Sequence, residues 1–229
     1  MAETLPHPSC YLVFEHDLER AVDDACVQRG AEVSGVCSGK FSRRMEGYGR
    51  VFGIKFQPGG LRPFMRGPVA GLTDRVVPAG EIFGRDILGL AAELRVLDEA
   101  ESMAAAAAAY FATRLPEADV NTAVATELVS LILNDSEMLK VEGLSKVSGL
   151  SVRALQRLFK EYVGVSPKWV IRRFRLHELL ERFHAGEGLD GARLALDLGY
   201  ADQAHLINDF RKLAGFTPTE YVRLAEARR

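Results

Sequence analysis

The rhythm of hydrophobic and polar positions changes near residue 85. Before it, Tyr11 to Glu15 is a β-type run, Ala31 to Cys37 alternates, and Arg50 to Phe56 is aromatic and β-branched until Pro58-Gly59-Gly60 stops it. Glycine and proline punctuate the chain up to Gly84, which predicts a small antiparallel, cupin-like sheet or partial barrel. After it, Ile87, Leu90, Leu94 and Leu97 recur at helical spacing. Ala104 to Ala109 is a run of six alanines, the best helix former, in a helix expected to reach about Arg114. Pro116 interrupts, Val120 to Leu133 is amphipathic, and the remainder reads as helices with short breaks. The pattern predicts an α+β chain in three parts: a β-rich unit over 1–84, a helical connector over 85–116 and an all-α unit over 117–229.

The all-α part contains an internal repeat. Leu155, Phe159, Gly164 and Pro167 recur as Leu206, Phe210, Gly215 and Pro218, each 51 residues later. Gly149 recurs as Gly199, 50 residues later, so the second turn holds one extra residue. Each landmark has a local reason. Glycine can end a helix in the left-handed conformation, and Ser151 and Asp202 then stand where an N-cap oxygen is wanted. Leu155 with Phe159, and Leu206 with Phe210, share a helix face that packs inward and leaves the opposite face polar. Ser166-Pro167 and Thr217-Pro218 each start a further helix with proline at its first position. A helix, a tight turn and a second helix with a polar outer face is the helix-turn-helix arrangement. An ordinary helical hairpin would give one such copy, but two copies sharing these landmarks favour a tandem pair.

Residues 118 to 225 resemble the DNA-binding domain of the AraC/XylS family. The resemblance rests on Gly149-Leu-Ser151, Leu155-Gln-Arg-Leu-Phe-Lys160, Gly164-Val-Ser-Pro167, Arg175-Leu176, Ala195-Leu-Asp-Leu-Gly-Tyr200, Asp202-Gln203, Gly215-Phe-Thr-Pro218 and Tyr221. It implies two helix-turn-helix units joined by a long helix, here about Pro167 to His184, and a transcription regulator whose partner is double-stranded DNA. Pro6-His-Pro8, Leu12-Val-Phe-Glu15, Gly47 to Gly60 and Asp74-Arg-Val-Val77 resemble an uncharacterised β-rich domain often fused ahead of such readers in bacteria. More strand sequence precedes this point in that family, so the chain is expected to begin partway into the domain. The first half is expected to sense a small-molecule effector or to form a homodimer.

In the first recognition helix the resemblance places base contacts at Arg153, Gln156 and Arg157, with Ser151 and Lys160 beside them. Arginine can bridge guanine O6 and N7, and glutamine adenine N6 and N7. The second offers Gln203, His205, Asn208 and Arg211. Ile207 could meet a thymine methyl. Asn208 stands where the family often has arginine, and Asp209 would repel a polyanion unless paired internally, so the second unit is expected to bind less tightly. Lys168, Arg172 and Arg173 on the linking helix are candidate phosphate contacts, which set register without reading sequence. Arg175 has a structural alternative in helix packing, and Trp169 reads as core.

Charge sharpens this picture. The whole chain carries net -2, but from Ser136 onward 16 lysines and arginines stand against 12 acids, while the remainder is acidic. No export signal precedes the first strand and no stretch approaches a membrane span, which predicts a cytoplasmic protein. Three cysteines, Cys10, Cys26 and Cys37, an odd number, argue against a disulfide framework, and Cys10 with His7 and His16 fits no metal-ligand spacing. A cupin-type metal enzyme would need a His/His/Glu cluster on strands. Only His7 and His16 occur in this half, and Glu15 falls on the opposite strand face from His16. No catalytic residue, cofactor or metal is therefore expected. An interaction module with a decayed DNA surface is the other alternative, to which Asn208 and Asp209 point.

Overall fold

A computed structural model describes residues 7–17, 31–39, 49–184 and 191–226. Four strands form one antiparallel sheet in the order β3-β1-β2-β4: β1 (Tyr11–Asp17), β2 (Ala31–Ser34), β3 (Gly49–Lys55) and β4 (Val76–Pro78). The register pairs Phe14 with Ala31 on one side and with Phe52 on the other. Leu12, Phe14 and Val33 are fully buried, which is the inward half of the alternation read in the sequence. Among the described residues the sheet is open; no second sheet closes it into a barrel. The strand at Val76–Pro78 had no alternating signal of its own and is held by pairing with β2.

The helices are α1 (Gly80–Phe83), α2 (Ile87–Val96), α3 (Ala100–Ala112), α4 (Val120–Asn134), α5 (Val141–Ser148), α6 (Val152–Leu158), α7 (Pro167–His184), α8 (Gly191–Asp197), α9 (Gln203–Ala214) and α10 (Pro218–Glu226). Ile87, Leu90 and Leu94 form the buried stripe of α2, as their spacing predicts. In α3 only Met103 and Ala107 are buried, so the alanine run owes its helix to propensity more than to packing. None of the described helices is long and apolar enough to cross a membrane. Cys10 and Cys37 are free thiols, and Cys26 lies outside the described residues.

Two hydrophobic clusters hold the described residues together. The larger runs without a break from the sheet (Leu12, Phe14, Val33) through α2 and α4 to Leu155, Phe159 and the first part of α7 (Val170, Ile171, Phe174). The smaller contains Leu176, Leu179 and Leu180 of α7 with Ala195, Leu198, Tyr200, Leu206 and Phe210. The division falls inside α7, between Phe174 and Leu176, with Trp169 touching both clusters. Polar contacts reinforce the larger one. Thr73 Oγ1 donates to Gly164 O at 2.6 Å, Thr126 Oγ1 to Pro58 O at 2.7 Å, and Trp169 Nε1 to Ser38 O at 2.9 Å. Arg62 pairs with Glu161 at 2.7 Å and lies over the Tyr162 ring.

Candidate nucleic-acid interface

The first helix pair is built as the sequence anticipates. α5 ends at Gly149, whose φ of 70° is left-handed. Ser151 then caps α6 by accepting from Ala154 N at 3.2 Å. Leu155 and Phe159 are fully buried, and together they anchor the inner face. One local difference appears. The helix does not continue as a regular α-helix to Gly164, because Phe159–Val163 form a π turn. Gly164 N donates to Phe159 O at 2.8 Å, five residues back, and the wider turn buries Val163. Tyr162 in the same turn donates its hydroxyl to Asp119 Oδ2 at 2.7 Å.

The second helix pair repeats the plan. Gly199 has φ 70°, and Asp202 caps α9 by accepting from His205 N at 2.8 Å. That hydrogen bond is the main reason the Asp202 carboxyl is held below its usual pKa. Leu206 and Phe210 are buried, and Phe210 meets the Tyr221 ring edge-on at 6.0 Å. Gly215, with φ 81°, ends α9. α10 begins with a reciprocal cap: Glu220 Oε2 accepts from Thr217 N at 2.7 Å, and Glu220 N donates to Thr217 Oγ1 at 3.2 Å.

Ten of the twelve residues singled out by sequence stand exposed. On α6 and its π turn these are Ser151, Arg153, Gln156, Arg157 and Lys160, and Arg153, Gln156, Arg157 and Lys160 follow one helical stripe. Lys168 is exposed at the start of α7. Gln203, His205, Asn208 and Arg211 are exposed on α9. His205 is not independent, since its Nδ1 sits 3.2 Å from Asp202 Oδ1. Ile207 is half-buried.

The linking helix departs from expectation at two positions. Arg173 is 4% exposed, with its guanidinium over the Phe174 ring, so it faces the interior and not a passing phosphate. Burial lowers its pKa to about 10. The sequence signal misled because four cations within eight residues of one helix cannot share a face, and the helical period turns Arg173 inward. Arg172 is half-exposed and forms an ion pair with Asp209 at 3.2 Å. Asp209 is therefore paired internally. Arg175 is buried, as its structural alternative required.

Sequence reasoning passed over a cleft between the helix pairs. It holds about 400 Å³, and its walls include Lys140 and Glu142 at the start of α5, Lys168, Arg172 and Arg175 of α7, and Tyr200 with Asp209. They come from three segments distant in the chain, and no spacing rule joins those segments.

Residues 144–224, spanning both helix pairs, match a helix-turn-helix domain family. This part of the chain is a helix-turn-helix domain. Residues 1–78 match a domain of unknown function, DUF6597. No curated protein matches the chain. Three solved structures of ToxT from Vibrio cholerae are similar to it. An apo form of a single-residue variant from strain SCE256 is 11% identical, covers 93% of this chain and 88% of its own, and has a TM-score of 0.44. A second crystal form of ToxT is 10% identical over 96% of this chain and 91% of its own, with a TM-score of 0.45. ToxT from strain O395 is 9% identical over 96% and 90%, with a TM-score of 0.43. The helix-turn-helix domain supports a DNA-binding transcription regulator.

Proposed function

We propose that the chain regulates transcription by reading two successive major-groove segments of duplex DNA, α6 entering one and α9 the next. One observation carries the reading: two glycine-ended, side-chain-capped helix pairs, 51 residues apart, hang from a single 18-residue helix with their polar faces exposed. α7 is about 27 Å long at 1.5 Å per residue. That is of the same order as the ~34 Å between successive major grooves on one face of the duplex. Arg153, Gln156 and Arg157 are the base readers of the first unit, and Gln203 and Asn208 those of the second. Ser151, Lys160, Lys168, His205 and Arg211 are the flanking contacts. In the same reading residues 1–84 sense a small-molecule effector or pair two copies of the chain, 85–116 connect, and 117–229 read, in the cytoplasm and without catalysis.

Selection of bound sequences from random duplex DNA tests this. Enrichment of a site with two half-elements about 10 base pairs apart is expected. Within that site, Arg157→Ala should cost about 1–3 kcal/mol and relax preference at one position, and Asn208→Ala should cost less. Enrichment of a single half-element, or equal losses for the two variants, overturns the tandem reading or its ranking respectively.

A further inference from the structure

The cleft between the two helix pairs is lined by more cations than acids. Arg175 lies in its wall at 8% exposure, yet its Nε and one terminal nitrogen are buried without a hydrogen-bond partner among the described residues. A buried guanidinium with idle donors is costly, and natural structures rarely leave one so. Lys140, Lys168 and Arg172 line the same space. Two acids also face it. Asp209 is already neutralised by Arg172 at 3.2 Å, and Glu142 is exposed at the rim. The balance is two positive charges in excess. α5 begins at this rim with no side chain capping its first turn, which leaves backbone N–H groups available there. The Tyr200 hydroxyl is buried in the wall beside Asp209.

We propose that this cleft binds a phosphate group, with Arg175 as its principal donor, so that one anion touches α5, α7 and the turn before α9 at once. A phosphate offers the tetrahedral, multiply accepting oxygens that a guanidinium fork and lysine rim satisfy. A bound phosphate would fix the angle between the two helix pairs. That consequence rests on the tandem DNA reading, whereas the anion site does not. The phosphate can come from the DNA backbone or from a free phosphorylated molecule, and the chemistry at Arg175 is shared.

Titration of inorganic phosphate into the full DNA-free chain, followed calorimetrically, is the test. Saturable binding is expected, with sulfate competing. Arg175→Gln should weaken it by about tenfold or more, as loss of a charge-assisted hydrogen bond implies. Because Arg175 is buried, the exposed rim variant Lys140→Gln is the second probe; it should weaken phosphate several-fold while thermal unfolding stays unchanged. Repeating the titration with duplex present identifies the source. Displacement of phosphate by duplex marks the DNA backbone as occupant, and joint binding marks a free ligand; either supports the site. Failure of the wild-type chain to saturate by tens of millimolar phosphate overturns it, as does equal binding by wild type and both variants. A chain that binds phosphate in this way but no duplex would sink the DNA reading and leave the site standing.

Discussion

Arg172 Nε lies 3.2 Å from Asp209 Oδ2, so α7 and α9 hold each other's charge across the cleft. The side chains are 42% and 15% exposed, which makes the pair worth about 1 kcal/mol. Arg172→Ala should lower stability by about that amount and weaken duplex binding, because a bare carboxylate then stands on α9. Asp209→Asn should tighten duplex binding by releasing Arg172. Denaturant midpoints and duplex titrations at one salt concentration check both, and weaker binding by Asp209→Asn would show that the pair orients α9.

Arg173 and Lys160 should separate cleanly in salt dependence. Each phosphate neutralised contributes a slope of about -0.9 to log affinity against log salt. Lys160→Gln should reduce the slope by about one such unit if it meets the backbone. Arg173→Gln should leave the slope unchanged, because Arg173 is enclosed by the larger core. A reduced slope for Arg173→Gln would place it on DNA after all.

Gly149 and Gly199 share φ 70° but differ in surroundings. A Cβ on Gly149 meets nothing within 4 Å, so Gly149→Ala should cost about 1 kcal/mol for backbone strain alone. A Cβ on Gly199 meets Leu139 Cδ1 at 3.3 Å and Arg175 at 3.4 Å. Gly199→Ala should therefore cost more, measured as the shift in chemical denaturation. Equal costs would mean that Leu139 and Arg175 yield freely.

His7 predicts an acid-side loss of stability. Burial first, then Lys55 of β3 and Arg173 and His177 of α7, lower its pKa from 6.5 to about 4. Above pH 6.5 both folded and unfolded chains hold it neutral. As pH falls from 6.5 toward 4 the unfolded chain takes up a proton that the folded chain refuses, so stability drops. His7→Gln should flatten the stability profile across this window. Asp119, Asp202 and Glu220, each lowered by a hydrogen bond, add their own losses lower down, near the ordinary carboxylate range. An unchanged profile between pH 6.5 and 5 in the variant would remove His7 as the cause.

The legible parts of this chain were those written in local rules. Gly149 and Gly199 take left-handed turns, Ser151 and Asp202 cap, and Leu155 with Phe159 point inward, because each depends on residues within one or two helical turns. The π turn at Phe159–Val163 was not legible, since it comes with Thr73 bonding Gly164 O from 91 residues away. The ion pair of Arg172 with Asp209 and the enclosure of Arg173 are tertiary facts that a count of cations along α7 does not contain. The same holds for the cleft, which Lys140, Arg175 and Tyr200 approach from three separate segments.

The larger core passes from the sheet into α7 without a seam, and this bears on any attempt to work with the reader alone. A fragment starting at residue 117 would leave behind Leu12, Phe14, Val33, Leu61 and Val69 while keeping α4, Leu155 and Phe159, which belong to the same hydrophobic cluster. Thr126, Glu161 and Gly164 would lose Pro58, Arg62 and Thr73 as partners. Such a piece should be sticky and prone to self-association at concentrations where the intact chain stays dispersed. The second helix pair, with its own small core beyond Phe174, would stay folded longer than its neighbour in that fragment. The sheet thus serves the first helix pair as a chaperone serves a client, permanently attached and supplied by the same gene.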